Sequence, residues 1–226
     1  MAIIHDVIQG SPEWLALRLG IPTASAFHKV ITAVKGDLSK SARKYAQALV
    51  AETLLGHSLE SQPSTWAMQR GKDLEPLARA AYARENNVEV RQVGFVTTND
   101  GHVGASPDGL IVGARRGVEI KCLLDDSHFA AFIDGPGDDF KQQVQGNLGV
   151  CELAEWDLYL WHPNPNLKPI TIRTLRDEPY ITKMGVALAE FLVMRNEMLA
   201  TAKAAGWGAV PGYTPPATFG AMRIAA

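Results

Sequence analysis

The chain has 226 residues, of which 46% are hydrophobic, 20% charged and 8% aromatic, a composition that excludes intrinsic disorder as the main state and suits one large domain. Its longest apolar runs, such as Ala187 to Met194 with Glu190 inside it, fall far short of the roughly 20 residues needed to cross a bilayer, so no membrane span is expected. With 22 Lys+Arg against 24 Asp+Glu the net charge is −2, which excludes a nucleic-acid coat held by bulk electrostatics; a polyanion would have to be gripped through a local charge cluster or metal ions.

In chain order, Ala24, Phe27, Val30, Ile31 and Val34 recur at three- and four-residue steps, which predicts an amphipathic helix over about 23–34 with Thr23 as its N-cap. Ser39 opens a second helix with Ala42, Tyr45, Ala46, Leu49, Val50, Thr53 and Leu54 as its stripe, and Gly56 stands where a left-handed C-cap belongs. Residues 66–86 form a third, with Leu74, Leu77, Ala78, Ala81 and Tyr82 inward and a kink or restart at Glu75-Pro76. After Asn86-Asn87 the period falls to two. Strands are expected over 88–91, 93–98, 102–105, 118–122, 156–161 and 170–174, between turn signals such as Asn99-Asp100-Gly101 and Arg115-Arg116-Gly117. Residues 138–151 read as a helix with Phe140, Val144, Leu148 and Val150 on one side, and 178–205 as a long one. Helices against a mixed sheet make an α/β (α+β) domain, assigned to residues 1–205, with 206–226 an extended Pro/Gly-rich tail. The N-terminus lacks the pattern of a secretory signal and the two cysteines, Cys122 and Cys151, cannot make a disulfide framework, so a reducing, cytoplasmic setting is expected.

The chemistry concentrates in Ala105-Ser106-Pro107-Asp108-Gly109-Leu110 and, after a Gly-containing turn, Val118-Glu119-Ile120-Lys121-Cys122. On a strand, Glu119 and Lys121 point to one face and Val118, Ile120 and Cys122 to the other. A hairpin closing through Arg115-Arg116-Gly117 would set the Asp108 carboxylate beside Glu119. Two carboxylates that close repel unless a cation lies between them, and hard oxygen ligands select Mg²⁺, Mn²⁺ or Ca²⁺ over zinc. Lys121 cannot ligate while protonated, but it can polarise a water or offset charge on a phosphate oxygen, so the set suits metal-assisted phosphodiester hydrolysis. An ordinary surface hairpin with Glu119 paired to Lys121 would account for a Pro-Asp-Gly turn or a Glu-x-Lys pair alone; their conjunction in a strand of buried type carries the metal reading. The six histidines lack zinc-ligand spacing, and neither phosphate-loop nor dinucleotide-binding glycine patterns occur. Cys122 is read as a buried strand residue, not a nucleophile.

Asp, spacer, Glu-x-Lys is the pattern of the restriction-endonuclease-like nucleases. Together with the block from Trp14 to Ser25, Ser106-Pro107-Asp108-Gly109, Glu119-Ile120-Lys121-Cys122 and Gln143-Val144-Gln145 extend it, and in their order and spacing the chain resembles the lambda exonuclease family of viral recombinase nucleases over roughly residues 8 to 205. The resemblance implies a restriction-endonuclease-like core with a central mixed sheet flanked by helices. It implies that Asp108 and Glu119, with the backbone carbonyl of Ile120, bind two catalytic Mg²⁺ ions, for which Mn²⁺ could substitute. Lys121 would orient the nucleophilic water, Gln143 would place that water or the scissile phosphate, and Glu75 would complete the second metal site. Apart from the family, Glu75 reads as a helix N-terminal charge and Gln143 as an exposed helix residue.

Arg18 and Ser25, with Ser106, match the family's pocket for the 5′-terminal phosphate. Arg offers a planar fork for phosphate oxygens, and a Ser near a helix start adds N–H groups where the dipole favours an anion. Arg18 alone would read as a surface charge. Trp14 is expected to pack behind the pocket. The implied activity is a Mg²⁺-dependent exonuclease that degrades one strand of double-stranded DNA 5′→3′ from its ends, releasing 5′-mononucleotides and leaving 3′ overhangs. The implied setting is phage recombination in a bacterial cytoplasm, as a ring-shaped homotrimer with a single-strand annealing protein as partner. An endonuclease on the same core and a non-catalytic DNA-end binding module are the alternatives. Asp125, Asp126, Asp134, Asp138 and Asp139 depart from the neutral or basic surface expected along DNA and read as a solvated loop kept off it.

Overall fold

The computed structural model describes residues 1–59, 66–138 and 140–208. Its strands are β1 (Ile3–His5), β2 (Val90–Arg91), β3 (Phe95–Thr97), β4 (Gly104–Ala105), β5 (Gly109–Ile111), β6 (Arg116–Cys122), β7 (Glu155–Trp161) and β8 (Ile170–Leu175). They form a five-stranded sheet in the order β2-β5-β6-β7-β8 and a three-stranded one in the order β1-β3-β4. In the larger sheet β6 runs parallel to β7 while the other pairings are antiparallel, which makes it the mixed central sheet expected from the sequence. β1 and β5, three residues each, are too short to reveal an alternation and were not expected.

The helices are α1 (Pro12–Arg18), α2 (Phe27–Val30), α3 (Ala42–Leu55), α4 (Trp66–Asn86), α5 (Asp125–Asp134), α6 (Lys141–Val150) and α7 (Glu178–Ala204). The helix expected over 23–34 is instead a 3-10 turn, Ala24–Ala26, and the single turn of α2. Ile31 is extended and bridges Leu38, so the β-branched run Val30-Ile31-Thr32 leaves the helix where its stiffness favours a strand. α3 starts after Ser41 and not Ser39, and Gly56 at φ +70° closes it in the left-handed conformation.

α4 runs through Pro76 without the expected restart. Pro76 and Lys72, whose carbonyl the proline cannot serve, both lie on the exposed face, where water can satisfy that oxygen. Leu77 beside them is 60% exposed and does not join the inward stripe. The acidic run 125–139 is no loop over its first part: Asp125 and Asp126 occupy the first turn of α5, where the helix dipole favours them. Asp139 lies outside the described residues, as does the tail from 209 onward. No described helix is long and apolar enough to cross a membrane.

β6 is held between two helical layers. Val118 and Ile120 pack with Ala78 and Tyr82 of α4 and with Tyr159, while on the opposite face Val144 and Leu148 of α6 pack with Trp156. Strand parity therefore turns Glu119 and Lys121 toward α6, as the alternation required. A larger core joins α3 and α7 to the smaller sheet, with Tyr45 stacked on Phe191 at 5.6 Å.

Gly146 lets α6 lie directly on this assembly. A Cβ there would stand 2.5 Å from Cδ2 of Phe27, a ring with no exposed surface. Alanine in mid-helix gains about 1 kcal/mol of propensity over glycine. Forcing a methyl into a packed core costs about 1–3 kcal/mol, and because Phe27 is enclosed the steric cost prevails. Gly146→Ala should lower the thermal unfolding midpoint by about 2–4 °C.

Candidate active site

β5 pairs with β6 so that Gly109 faces Val118, which sets Asp108 beside Glu119. The hairpin turn falls at residues 112–115, not at Arg115-Arg116-Gly117; Arg116 and Gly117 belong to β6 because they pair with Glu155 and Trp156 of β7. Asp108 and Glu119 are only 9% and 3% exposed. Asp108 Oδ2 accepts the Ile120 N–H at 2.7 Å. Glu119 Oε1 accepts from Lys121 Nζ at 2.7 Å and from Gln143 Nε2 at 2.6 Å, and Lys121 also donates to Gln143 Oε1 at 3.3 Å. Glu119 Oε2 accepts from Asn147 Nδ2 at 3.1 Å. Glu75 on α4 is paired with Arg79, whose Nε donates to the Asp108 carbonyl at 2.8 Å.

The structure thus brings Glu119, Lys121 and Gln143 into one hydrogen-bonded group, with Asp108 held beside it by the Ile120 N–H and Glu75 in electrostatic reach. Burial, then the neighbouring charges of Glu119 and Glu75, push the Asp108 carboxyl well above the ordinary carboxylate range, against Lys121 and the Ile120 N–H. Glu75 is also raised, by burial first, with Arg79 opposing and Glu119 adding to the rise. Burial works to neutralise Lys121, but Glu119 and Asp108 outweigh it and hold the ammonium above its usual value. Cys122 is pushed up to about 11 by burial and then by Glu75, so it is a neutral thiol and no nucleophile.

A cluster in which burial and mutual repulsion push two carboxyls upward for want of positive charge is one that a divalent cation would relieve, and its donors are hard oxygens of the Mg²⁺ and Mn²⁺ class. Among the described residues no three His, Cys, Asp or Glu side chains form a group that could hold a metal ion, and Glu75 is paired with Arg79. The fit therefore rests on Asp108 and Glu119, and backbone oxygen and water would have to complete the shell.

A second group adjoins the first through Ser106. Arg18, the last residue of α1, donates from its NH1 to Ser106 Oγ at 3.1 Å and lies over the Trp14 ring at 4.1 Å. Trp14 Nε1 donates to Gly94 O at 2.9 Å and reaches Ser106 Oγ at 3.1 Å, so the indole packs behind Arg18 as expected. Ser25 is the one exposed residue of the otherwise buried turn Ala24–Ala26, its hydroxyl 3.3 Å from Thr23 Oγ1, and the recess that Arg18 lines includes Thr23 rather than Ser25.

Sequence reasoning missed Asn147, Arg79 and Gln9. The first two were findable, each lying four residues after a selected residue on the same helix face. Gln9 gave no signal: its Nε2 donates to the carbonyls of Val93 and Pro107, both at 2.9 Å, and pins the segment before Asp108.

The family model of the YqaJ-like viral recombinase domain matches residues 13–154. An alkaline exonuclease (LHK-Exo) from Laribacter hongkongensis is similar at a TM-score of 0.78 and 28% identity, covering 87% of this chain and 98% of that one. The structure of LHK-Exo in complex with dAMP is similar at 0.77 and 28% identity, with the same coverage of 87% and 98%. A phage related exonuclease from Haemophilus somnus 129PT shares the fold at a TM-score of 0.65 and 15% identity, over 80% of this chain and 96% of that one. No curated protein matches the chain.

Because the Asp108 carboxyl sits above its unfolded-chain value, the metal-free folded protein binds an extra proton between the two values and loses stability as pH rises through that interval. Asp108→Asn removes the charge and keeps an acceptor for the Ile120 N–H. In chelator at pH 8 it should unfold at a higher temperature than the parent protein; an equal or lower midpoint would contradict the strain assigned to the cluster.

Proposed function

The chain belongs to the YqaJ-like viral recombinase domain family, with the restriction-endonuclease-like core of its alkaline exonuclease neighbours, and from that premise we propose that it is a Mg²⁺-dependent 5′→3′ exonuclease. It degrades one strand of double-stranded DNA from the ends, releasing 5′-mononucleotides and leaving 3′ overhangs. The observation that carries the reading is the convergence of Lys121 and Gln143 on Glu119, beside a buried Asp108. That dAMP, a deoxynucleoside monophosphate, was bound by LHK-Exo supports the class of product.

Asp108, Glu119 and the Ile120 carbonyl would hold the metal, with Glu75 at a second ion once released from Arg79. Divalent ions held there would supply Lewis-acid stabilisation of charge developing on the phosphodiester and would lower the pKa of a water. Lys121, kept cationic by its carboxylate neighbours, orients that water or offsets charge on a phosphate oxygen. Gln143 spans Lys121 and Glu119 with its two amide ends and so fixes their spacing. Arg18, braced by Trp14 and joined to Ser106, takes the 5′-terminal phosphate, with Ser25 at the rim. Such a pocket gives a near-neutral chain a local grip on a polyanion.

The same reading has residues 1–205 as one nuclease domain with 206–226 as a tail. It places a homotrimeric ring around DNA, a single-strand annealing protein as partner, and phage recombination in the cytoplasm of a bacterial host as the setting.

Linear duplex DNA with 5′-phosphate or 5′-hydroxyl ends, and a closed circle alongside, tests this in Mg²⁺ and in chelator. Mononucleotides should appear faster from 5′-phosphate ends, not at all from circles, and not in chelator. Glu119→Ala should abolish degradation, whereas Arg18→Ala should erase the preference for a 5′-phosphate. Cutting of the circle would move the assignment to an endonuclease, and metal binding without hydrolysis to a DNA-end binding module.

A further inference from the structure

α6 presents a second amide to Glu119. Asn147 lies one turn beyond Gln143 on the same face, is 1% exposed, and donates from Nδ2 to Glu119 Oε2 at 3.1 Å. Oε1 of the same carboxylate is taken by Gln143 and Lys121. Both oxygens are therefore held from one helix, and a carboxylate that only accepts requires each amide to turn its NH₂ inward.

The helix that does this is itself fixed. Gln145 donates to the Leu175 carbonyl at 2.9 Å and accepts the Asp177 N–H at 3.0 Å, tying α6 to the junction of β8 and α7. Gln142 reaches the Ile31 carbonyl at 3.4 Å, and Gly146 seats α6 against Phe27. By propensity and burial an asparagine is a poor choice for this position, where an aliphatic side chain would fill the space without an amide to desolvate.

We propose that Asn147 is a positioning residue, fixing the rotation of the Glu119 carboxylate about its Cγ–Cδ bond so that it meets the metal in one orientation. The inference rests on the metal-dependent reading above. Without Asn147, Oε2 loses its fixed donor and the carboxylate is free to rotate about Gln143 and Lys121. Metal affinity then falls, while DNA binding through the Arg18 pocket is untouched.

Asn147→Leu, of similar volume and without a donor, tests it, with Asn147→Ala as the variant to use if the leucine does not fold. Mn²⁺ and Mg²⁺ are titrated calorimetrically into each protein without DNA, and kcat and KM for a linear duplex are followed against metal concentration. Groups that hydrogen-bond a metal ligand typically contribute 10–100-fold to affinity. The metal Kd should therefore weaken by about 10-fold or more, kcat should recover as metal is raised, and KM for DNA should stay within about 2-fold. A folded variant that binds metal as tightly as a metal-binding parent overturns the inference alone. A parent that binds neither ion overturns the metal reading and the inference with it.

Discussion

The mutual repulsion of Asp108 and Glu119, buried side by side where β5 meets β6, is the constraint around which the site is built. Taking a carboxylate out of water costs several kcal/mol even after relaxation, of order that much for each ion. The chain offsets this with fixed donors: a backbone N–H for Asp108, and an ammonium and two amides for Glu119. The offset is incomplete, because the Asp108 carboxyl still lies far above its ordinary range. A site left short of positive charge destabilises the empty protein and is poised to receive a cation, the usual opposition between stability and function.

A second buried acid in the same sheet shows what full compensation looks like. Asp157 of β7 has no exposed surface, yet its carboxyl is held below the usual range. Burial acts to raise it, but hydrogen bonds from Arg173, at 2.9 and 3.0 Å, and from Tyr82, at 2.5 Å, outweigh that, with Arg116 at 3.7 Å adding charge. Two guanidiniums for one carboxylate make a structural link between α4, β6, β7 and β8. Around Asp108, Glu119 and Glu75 the compensation is thinner: Lys121 serves the first two, Arg79 is paired with Glu75, and among the described residues the Asp108 carboxylate has no cation in direct contact.

Where periodicity was long enough to be measured, the sequence announced the structure: the 21 residues of α4 and the seven of β7 appear where the pattern put them. The alternation of Glu119 and Lys121 against Val118 and Ile120 appears in β6 as read, since packing on both sides of the strand enforces strict parity. Short elements escaped. β5 contributes a three-residue edge to the hairpin, and the 23–34 stripe merged a 3-10 turn, one helical turn and an extended bridge, three conformations that bury similar side chains. α1 was missed although Ser11 caps it, accepting from the Trp14 N–H, and Pro12 begins it, a signal in the residues themselves. Asn147 and Arg79 were marked only by their spacing, four residues after Gln143 and Glu75, while the groups they bond are set by tertiary packing.

The same distinction between sum and arrangement resolves how a chain of net charge −2 comes to have a surface fit for a polyanion. Two of the acids that follow β6 meet donors of the chain itself: Asp125 accepts from His162 Nε2 at 2.9 Å, Asp126 caps the Ser127 N–H at 2.7 Å, and both sit in the first turn of α5. Arg70 donates to the Cys122 and Leu123 carbonyls at 3.0 and 3.2 Å, so a guanidinium closes the end of the strand that carries Glu119 and Lys121. Arg18 and Arg79 stand on two other sides of the Ser106 to Asp108 segment. At a Debye length near 8–10 Å in physiological salt, a phosphate beside the carboxylates would feel the cations within that distance and little of the distant average. Net charge therefore describes solubility and long-range approach, while recognition is decided by the few charges within one screening length of the carboxylates.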